Sequence, residues 1–126
     1  MTVNYYNVNN AVEYLSKHAE ERSVGKCAQY VRLAIREGGC PTYFHPESAC
    51  DYIQFLPKLG FEEIATENYN PQMGDVIVFP SIKGHEHGHI AMYDGKHWIS
   101  DFKQSGFWPG GDYKKVQPKY TIYRHY

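Results

Sequence analysis

Two residues, Cys27 and His89, have the types and positions that nucleophilic catalysis requires. Cys27 follows Gly25 closely and begins a helical pattern, because apolar residues come at i+4, i+7 and i+8 and share its face. The first turn of a helix offers free backbone N–H groups and the positive end of the helix dipole, which stabilise a thiolate and a developing oxyanion. Cys27 is therefore either a nucleophile or a core cysteine that only packs.

His89 is the histidine best placed to exchange a proton with Cys27. It opens a hydrophobic strand pattern directly after a glycine, and a strand end is rigid yet lies where a cleft can open. An imidazole needs a polar group that fixes its tautomer, and Asp101 on the next strand is the candidate. A two-residue turn at Asp94-Gly95 would send Asp101 to the other face of the sheet, whereas a three-residue loop or a bulge would keep it beside His89. We expect the longer loop or the bulge.

The composition of the chain restricts its class. With 126 residues and a net charge of −1, it predicts one domain over 1–126 with its own core and no basic surface for nucleic acid or an anionic membrane. No apolar run is long enough to span a membrane, and the polar N-terminus lacks the basic and apolar regions of a signal peptide. We expect a monomer, made in the cytoplasm without a signal peptide, with no nucleic-acid or membrane partner.

The three cysteines leave their pairing open. Cys40 and Cys50 enclose a short loop that a disulfide could close, but we favour two reduced thiols. No CxxC spacing is present, which argues against a structural zinc site.

Three helices are predicted in the first half of the chain. The first is capped by Asn10 and runs over 11–22, and the second runs over 27–37 and ends at two glycines. The third runs over 47–58 with Ile53 on its buried face, is shortened or kinked by Pro57 and ends at Gly60.

Strand patterns follow in the second half. They cover residues 61–65, 76–79, 89–93, 97–102 and 120–124, with loops over 81–88 and 103–115. Helices first and antiparallel strands afterwards predict an α+β fold, with N-terminal helices packed on an antiparallel sheet.

At this point the chain resembles the NlpC/P60 and CHAP superfamily of papain-like cysteine amidases. The resemblance lies in the segments GKCAQYV (25–31), GDVIVF (74–79), GHIAMYDG (88–95) and WISD (98–101), in this order and spacing. It implies a papain-like fold in which Cys27 is the nucleophile, His89 the base and Asp101 the residue that orients it. It also implies hydrolysis of amide bonds in peptidoglycan peptides without a metal or another cofactor.

The small size of the chain is similar to that of the amidase effectors injected by type VI secretion. That resemblance implies action in the periplasm or on the cell wall after delivery, and a cognate immunity protein. A phage lysin is the other context. Two further readings stay open: a non-catalytic module that binds cell-wall peptides or a protein, and a cysteine amidase that acts on another amide.

Two other segments contain residues that could bind a metal ion or a substrate. Residues 85–89 match H-E-x-x-H, but a zinc peptidase needs this motif on a helix, and Gly84 and Gly88 bracket it before a strand pattern. We expect a solvated loop there and no metal site. Phe107 and Trp108 are candidates for a substrate-groove wall, as is His87, although the two aromatic residues could equally belong to the core.

Overall fold

A five-stranded antiparallel sheet forms the centre of the computed structural model, which describes residues 5–126. The strands are β1 Phe61–Ile64, β2 Val76–Phe79, β3 His89–Tyr93, β4 Trp98–Ile99 and β5 Thr121–His125. Their spatial order is β1-β5-β2-β3-β4, and each neighbouring pair is antiparallel.

Within residues 5–126, four α-helices accompany the sheet. They are α1 Val8–His18, α2 Cys27–Glu37, α3 Tyr52–Phe55 and α4 Gly111–Val116, and 3₁₀ turns at Ala49–Asp51 and Leu56–Leu59 flank α3. This arrangement confirms the α+β class. In the described part of the chain, the helices are too short and too polar for any of them to span a membrane.

Both faces of the sheet are covered, and the strand period of two divides their side chains between two cores. On one face, Val76 and Val78 pack with the buried stripes of α1 and α2. On the other face, Ile77 and Phe79 pack in an aromatic cluster that includes Tyr113 of α4. The central strand β2 is therefore buried along its whole length.

Helix α2 has the predicted bounds, Cys27–Glu37. Its buried stripe, Val31, Ala34 and Ile35, lies against the sheet, and its contacts include β3. The burial of this stripe fixes the rotation of the helix, and it thereby places Cys27 at the end of α2 that reaches the first residues of β3.

The first and third helices differ from their predicted bounds. Asn7 rather than Asn10 caps α1, because its side-chain oxygen accepts from the N–H of Asn10, and the helix ends at His18. The third segment is broken into 3₁₀ and α turns, and Pro57, which has no N–H to donate, lies in the last of them. Ile53, which the helical pattern puts on the buried face, is 45% exposed.

The strands after β2 also differ from the prediction. Tyr93 pairs with Trp98, so the β3–β4 loop holds four residues rather than two or three. Asp94 stabilises this loop, since its side chain accepts from the N–H groups of Lys96 and His97. Strand β4 is only two residues long, and the predicted loop over 103–115 contains all of α4 except its last residue.

Candidate active site

Cys27 is the first residue of α2 and is half-buried in the wall of a groove of about 320 Å³. Gly25 turns the chain into the helix with a φ of +74°, a conformation that favours glycine. The backbone N–H groups of Ile90, Ala28 and Cys27 itself approach the thiol closely enough to stabilise its charged form. Because Ile90 directly follows His89 in β3, the thiol lies beside the backbone of the predicted base.

His89 opens β3 and is only 9% exposed. It lines a second groove of about 310 Å³, whose walls include Ser23 and Tyr113. Its Nε2 lies 2.9 Å from Oε1 of Gln104. His89 therefore lies in the wall of a groove, which is not the groove that Cys27 lines.

The hydrogen bonds of Gln104 determine the tautomer of His89. The amide NH₂ of Gln104 donates to the carbonyl oxygens of Gly106 (3.2 Å) and Phe107 (3.3 Å), so its Oε1 must face the imidazole. An amide oxygen only accepts, and Nε2 of His89 must therefore carry the hydrogen. This leaves a lone pair on Nδ1, which is the nitrogen available to take a proton.

Asp101 does not make the predicted contact with His89. Its buried carboxylate instead accepts from the N–H groups of Val24 (2.8 Å) and Lys26 (2.9 Å) and from the hydroxyl of Ser23 (3.3 Å). Asp101 thus holds the segment that leads into α2, and it positions Cys27 rather than the imidazole.

The end of β4 explains why Gln104 takes the place predicted for Asp101. The N–H of Ser100 donates to the carbonyl of Phe102 (3.0 Å), and this turn reverses the chain immediately after β4. The N–H of Gln104 then donates to Trp98 (2.9 Å), which brings the Gln104 side chain back to His89. A strand continued to residue 102, as predicted, would not make this reversal.

The electrostatics favour uncharged forms of both groups. Burial raises the pKa of the Cys27 thiol above its ordinary value, and the nearby N–H groups only partly oppose this. Burial also lowers the pKa of His89, although the hydrogen bond to Gln104 and the charge of Asp101 act in the opposite direction. The sequence predicts that the helix N-terminus stabilises a thiolate at Cys27. In the structure, the cost of burying a charge exceeds this stabilisation, so the neutral thiol is favoured.

Comparison with solved structures places the chain in a family. Over 96% of its length it matches all of a chain from the crystal structure of the native type VI effector–immunity complex Tae3–Tai3 from Ralstonia pickettii, with 46% sequence identity and a TM-score of 0.89. The chain belongs to the Tae3 family of type VI effectors. The selenomethionine form of the same complex matches over 91% of this chain and 99% of its own, again with 46% identity and with a TM-score of 0.84.

No family model and no curated relative matches this Tae3-family chain. Its resemblance to the NlpC/P60 and CHAP superfamily therefore stays a prediction from the sequence segments.

The three predicted substrate contacts of the Tae3-family chain lie in different places. His87 lines the Cys27 groove, and its Nδ1 lies 2.6 Å from the hydroxyl of Ser48. Phe107 and Trp108 instead pack edge to face with each other and against Phe79 in the aromatic cluster. Neither residue lines the Cys27 groove or the His89 groove, although Phe107 lines another pocket together with Trp98 and Gln104.

The H-E-x-x-H segment does not form a helix in the Tae3-family chain. Residues 85–88 are a turn, and His89 begins β3. His85 pairs with Asp112 of α4 at 2.8 Å across the His89 groove. Within residues 5–126, no three histidine, cysteine or acidic side chains are arranged to hold a metal ion, and all three cysteines are free thiols.

Proposed function

We propose that this chain is a cysteine amidase that hydrolyses amide bonds in peptidoglycan peptides and acts as an antibacterial type VI effector. The main support is the position of the Cys27 thiol beside the Ile90 N–H, one residue from a histidine whose Nδ1 is free to accept a proton. Membership of the Tae3 family supports the effector role independently.

The reaction begins with a neutral thiol and a neutral imidazole. The proton of Cys27 moves to Nδ1 of His89 while Sγ bonds to the carbonyl carbon of the scissile amide. The electron pair of the broken C=O π bond moves to oxygen, and the backbone N–H of Cys27 donates to this oxyanion. Proton transfer during the attack compensates for the raised pKa of the thiol, since no free thiolate need accumulate beforehand.

The tetrahedral intermediate then breaks down toward the products. His89 returns the proton to the amide nitrogen as the C–N bond breaks, which releases an amine and leaves a thioester on Cys27. His89 next takes a proton from water while the water oxygen attacks the thioester. The C–S bond breaks, the acid product leaves, and the proton on His89 returns to the sulfur. Each step uses only groups of this chain and water.

Membership of the Tae3 family supports a biological context for this chemistry. The similar solved structures are effector–immunity complexes. For this chain we infer delivery by type VI secretion into the periplasm of a target cell, where its peptidoglycan substrate lies. A cognate immunity protein would protect the producing cell.

Digestion of purified sacculi tests the proposed function. Mass spectrometry of the released muropeptides should show new amine and carboxylate ends, with one water added for each bond broken. Iodoacetamide should abolish the cleavage, and a chelator should leave its rate unchanged. Loss of cleavage with the chelator alone would contradict the cysteine mechanism. Retention of the chain on sacculi without any cleavage would favour a binding module.

Gln104→Leu should lower kcat by about 10²-fold, because the His89 ring loses the group that holds its orientation. It should also move the acidic limb of the pH profile of kcat/KM to lower pH. That limb reports the pKa of free His89. Burial already lowers this pKa below 6.5, and the Gln104 oxygen raises it, so its removal lowers it further.

The pH–rate profiles of the wild type and the variant check this prediction. Gln54→Leu makes the same chemical change at an exposed position and should leave both kcat and the acidic limb of the pH profile unchanged. A Gln104→Leu variant that loses thermal stability but has the same acidic limb of kcat/KM as the wild type would show that Gln104 has only a structural role.

A further inference from the structure

Arg32 lies on the wall of the Cys27 groove, on the same helix as the nucleophile. The groove also contains the charged or titratable residues Lys26, Glu47 and His87. The mechanism above uses none of these side chains, so they are available to bind part of the substrate.

Two side chains hold the guanidinium of Arg32 in place. Its Nη1 donates to the hydroxyl oxygen of Tyr52 (3.3 Å) and faces Nδ1 of His45 (3.2 Å). The hydroxyl of Tyr52 in turn donates to the carbonyl of Pro46 (3.3 Å). Burial raises the pKa of Tyr52, so this hydroxyl stays uncharged. The tether therefore fixes the position of Arg32 without neutralising its charge.

The rest of the guanidinium is available for a ligand. Among residues 5–126, no carboxylate lies within 4.0 Å of Arg32, and its Nε and Nη2 make no hydrogen bond. Glu47 lines the same groove but forms no ion pair with it. A half-buried arginine with free N–H groups in a fixed plane matches the two oxygens of a carboxylate.

The shared groove relates this group to the scissile bond. Arg32 follows Cys27 by five residues, which is about 7.5 Å of helix rise and about 140° of rotation, so the two side chains leave α2 in different directions. Both nevertheless line the same groove. A substrate held at Cys27 therefore extends toward the guanidinium along this groove.

We infer that Arg32 forms a carboxylate subsite that selects peptides carrying a free carboxylate near the bond that is cut. This inference rests on the proposed amidase function, because Cys27 defines where the scissile bond lies. The carboxylate is either a side-chain branch of the peptide or its C-terminus, and both present the same two oxygens to the guanidinium.

Matched synthetic peptides test this subsite on the wild-type chain. One peptide carries a free side-chain carboxylate, a second a free C-terminal carboxylate, and a third has both groups converted to carboxamides. We expect kcat/KM to be at least about 10-fold higher for one of the first two than for the third, which identifies the source of the carboxylate. Equal rates on all three would overturn the inference.

Variants assign the selectivity to Arg32. Arg32→Gln should reduce the preference to less than about 2-fold, and Arg32→Lys should keep part of it, since the charge remains but the planar fork is lost. Arg36→Gln removes the same charge from an exposed position one turn along α2 and should keep the full preference. Arg32→Gln with an undiminished preference would reject the assignment.

Binding to the Cys27→Ala variant separates this inference from the proposed function. Calorimetric titration of that variant with the three peptides should show the same preference without any cleavage. If the wild type cleaves nothing while Cys27→Ala still prefers a carboxylate peptide, the amidase proposal fails and the subsite stands. If the wild type cleaves all three peptides equally and Cys27→Ala binds them equally, the subsite fails alone.

Discussion

Cys27→Ala is expected to lower the rate of peptidoglycan peptide cleavage by at least about 10³-fold, which is the usual scale for loss of a catalytic nucleophile. The substitution removes the sulfur that bonds to the carbonyl carbon, while the backbone N–H groups and His89 stay in place. Because Cys27 is half-buried at a helix end and Ala favours helices, the fold should persist. The release of muropeptides from sacculi measures the rate, and circular dichroism checks the fold.

Cys50→Ala is the matched control for this variant. Cys50 is also a free, half-buried thiol, but it lies outside the proposed mechanism. Its N–H bonds to the carbonyl of His87 (2.9 Å), and alanine preserves both this bond and the Cβ that packs near Gly88. Cys50→Ala should therefore cleave at the wild-type rate. Undiminished cleavage by Cys27→Ala, or equal losses in both variants, would contradict the nucleophile assignment.

Asp75→Ala is expected to lower the free energy of unfolding by about 3–5 kcal/mol, the usual cost of breaking one side of a buried ion pair. Arg124 donates to both carboxylate oxygens of Asp75, at 2.7 and 2.8 Å. Tyr69 (2.6 Å) and the N–H of Gln72 (2.9 Å) donate to the same carboxylate, which is fully buried. The variant leaves the Arg124 guanidinium and the Tyr69 hydroxyl without their carboxylate partner.

Urea unfolding followed by circular dichroism measures this loss. Glu13→Ala is the control, since it removes a carboxylate from an ion pair with Lys17 (3.5 Å) in which both side chains are more than two-thirds exposed. Exposed pairs of this kind contribute about 0–1 kcal/mol, so the control should unfold close to the wild type. A similar, small effect in both variants would show that the Asp75 cluster does not stabilise the fold.

The predictable part of the structure is the part governed by local patterns. The apolar period after Cys27 and the two glycines after residue 37 gave the bounds of α2, and β-branched residues gave β2. His89 was placed at the start of β3 for the same reason. The buried face of a helix or strand is set by the spacing of its apolar residues, and this spacing can be read from a short stretch of sequence.

The part that could not be predicted depends on contacts between distant segments. The strand pattern predicts that Asp101 contacts His89, but the Asp101 carboxylate accepts from the N–H groups of Val24 and Lys26, about 75 residues earlier. Gln104 lay in a segment without a periodic pattern, and its polar side chain was the only signal that could have marked it. Its role requires a turn after β4 that reverses the chain, and hydrogen bonds within 100–107 create that turn.

The amino-acid sequence by itself determined the α+β class, helix α2 with Cys27 at its first turn, and strand β3 with His89 at its first residue. Local hydrophobic periods and glycine breaks are sufficient for these features. Only the tertiary structure decided that Gln104 holds the imidazole, that Asp101 holds the loop before the thiol, and that Arg32 faces the groove with its charge unpaired. These three features depend on the burial of each side chain and on which groups from distant segments come within hydrogen-bond distance of it. Both are determined by the packing of the whole chain.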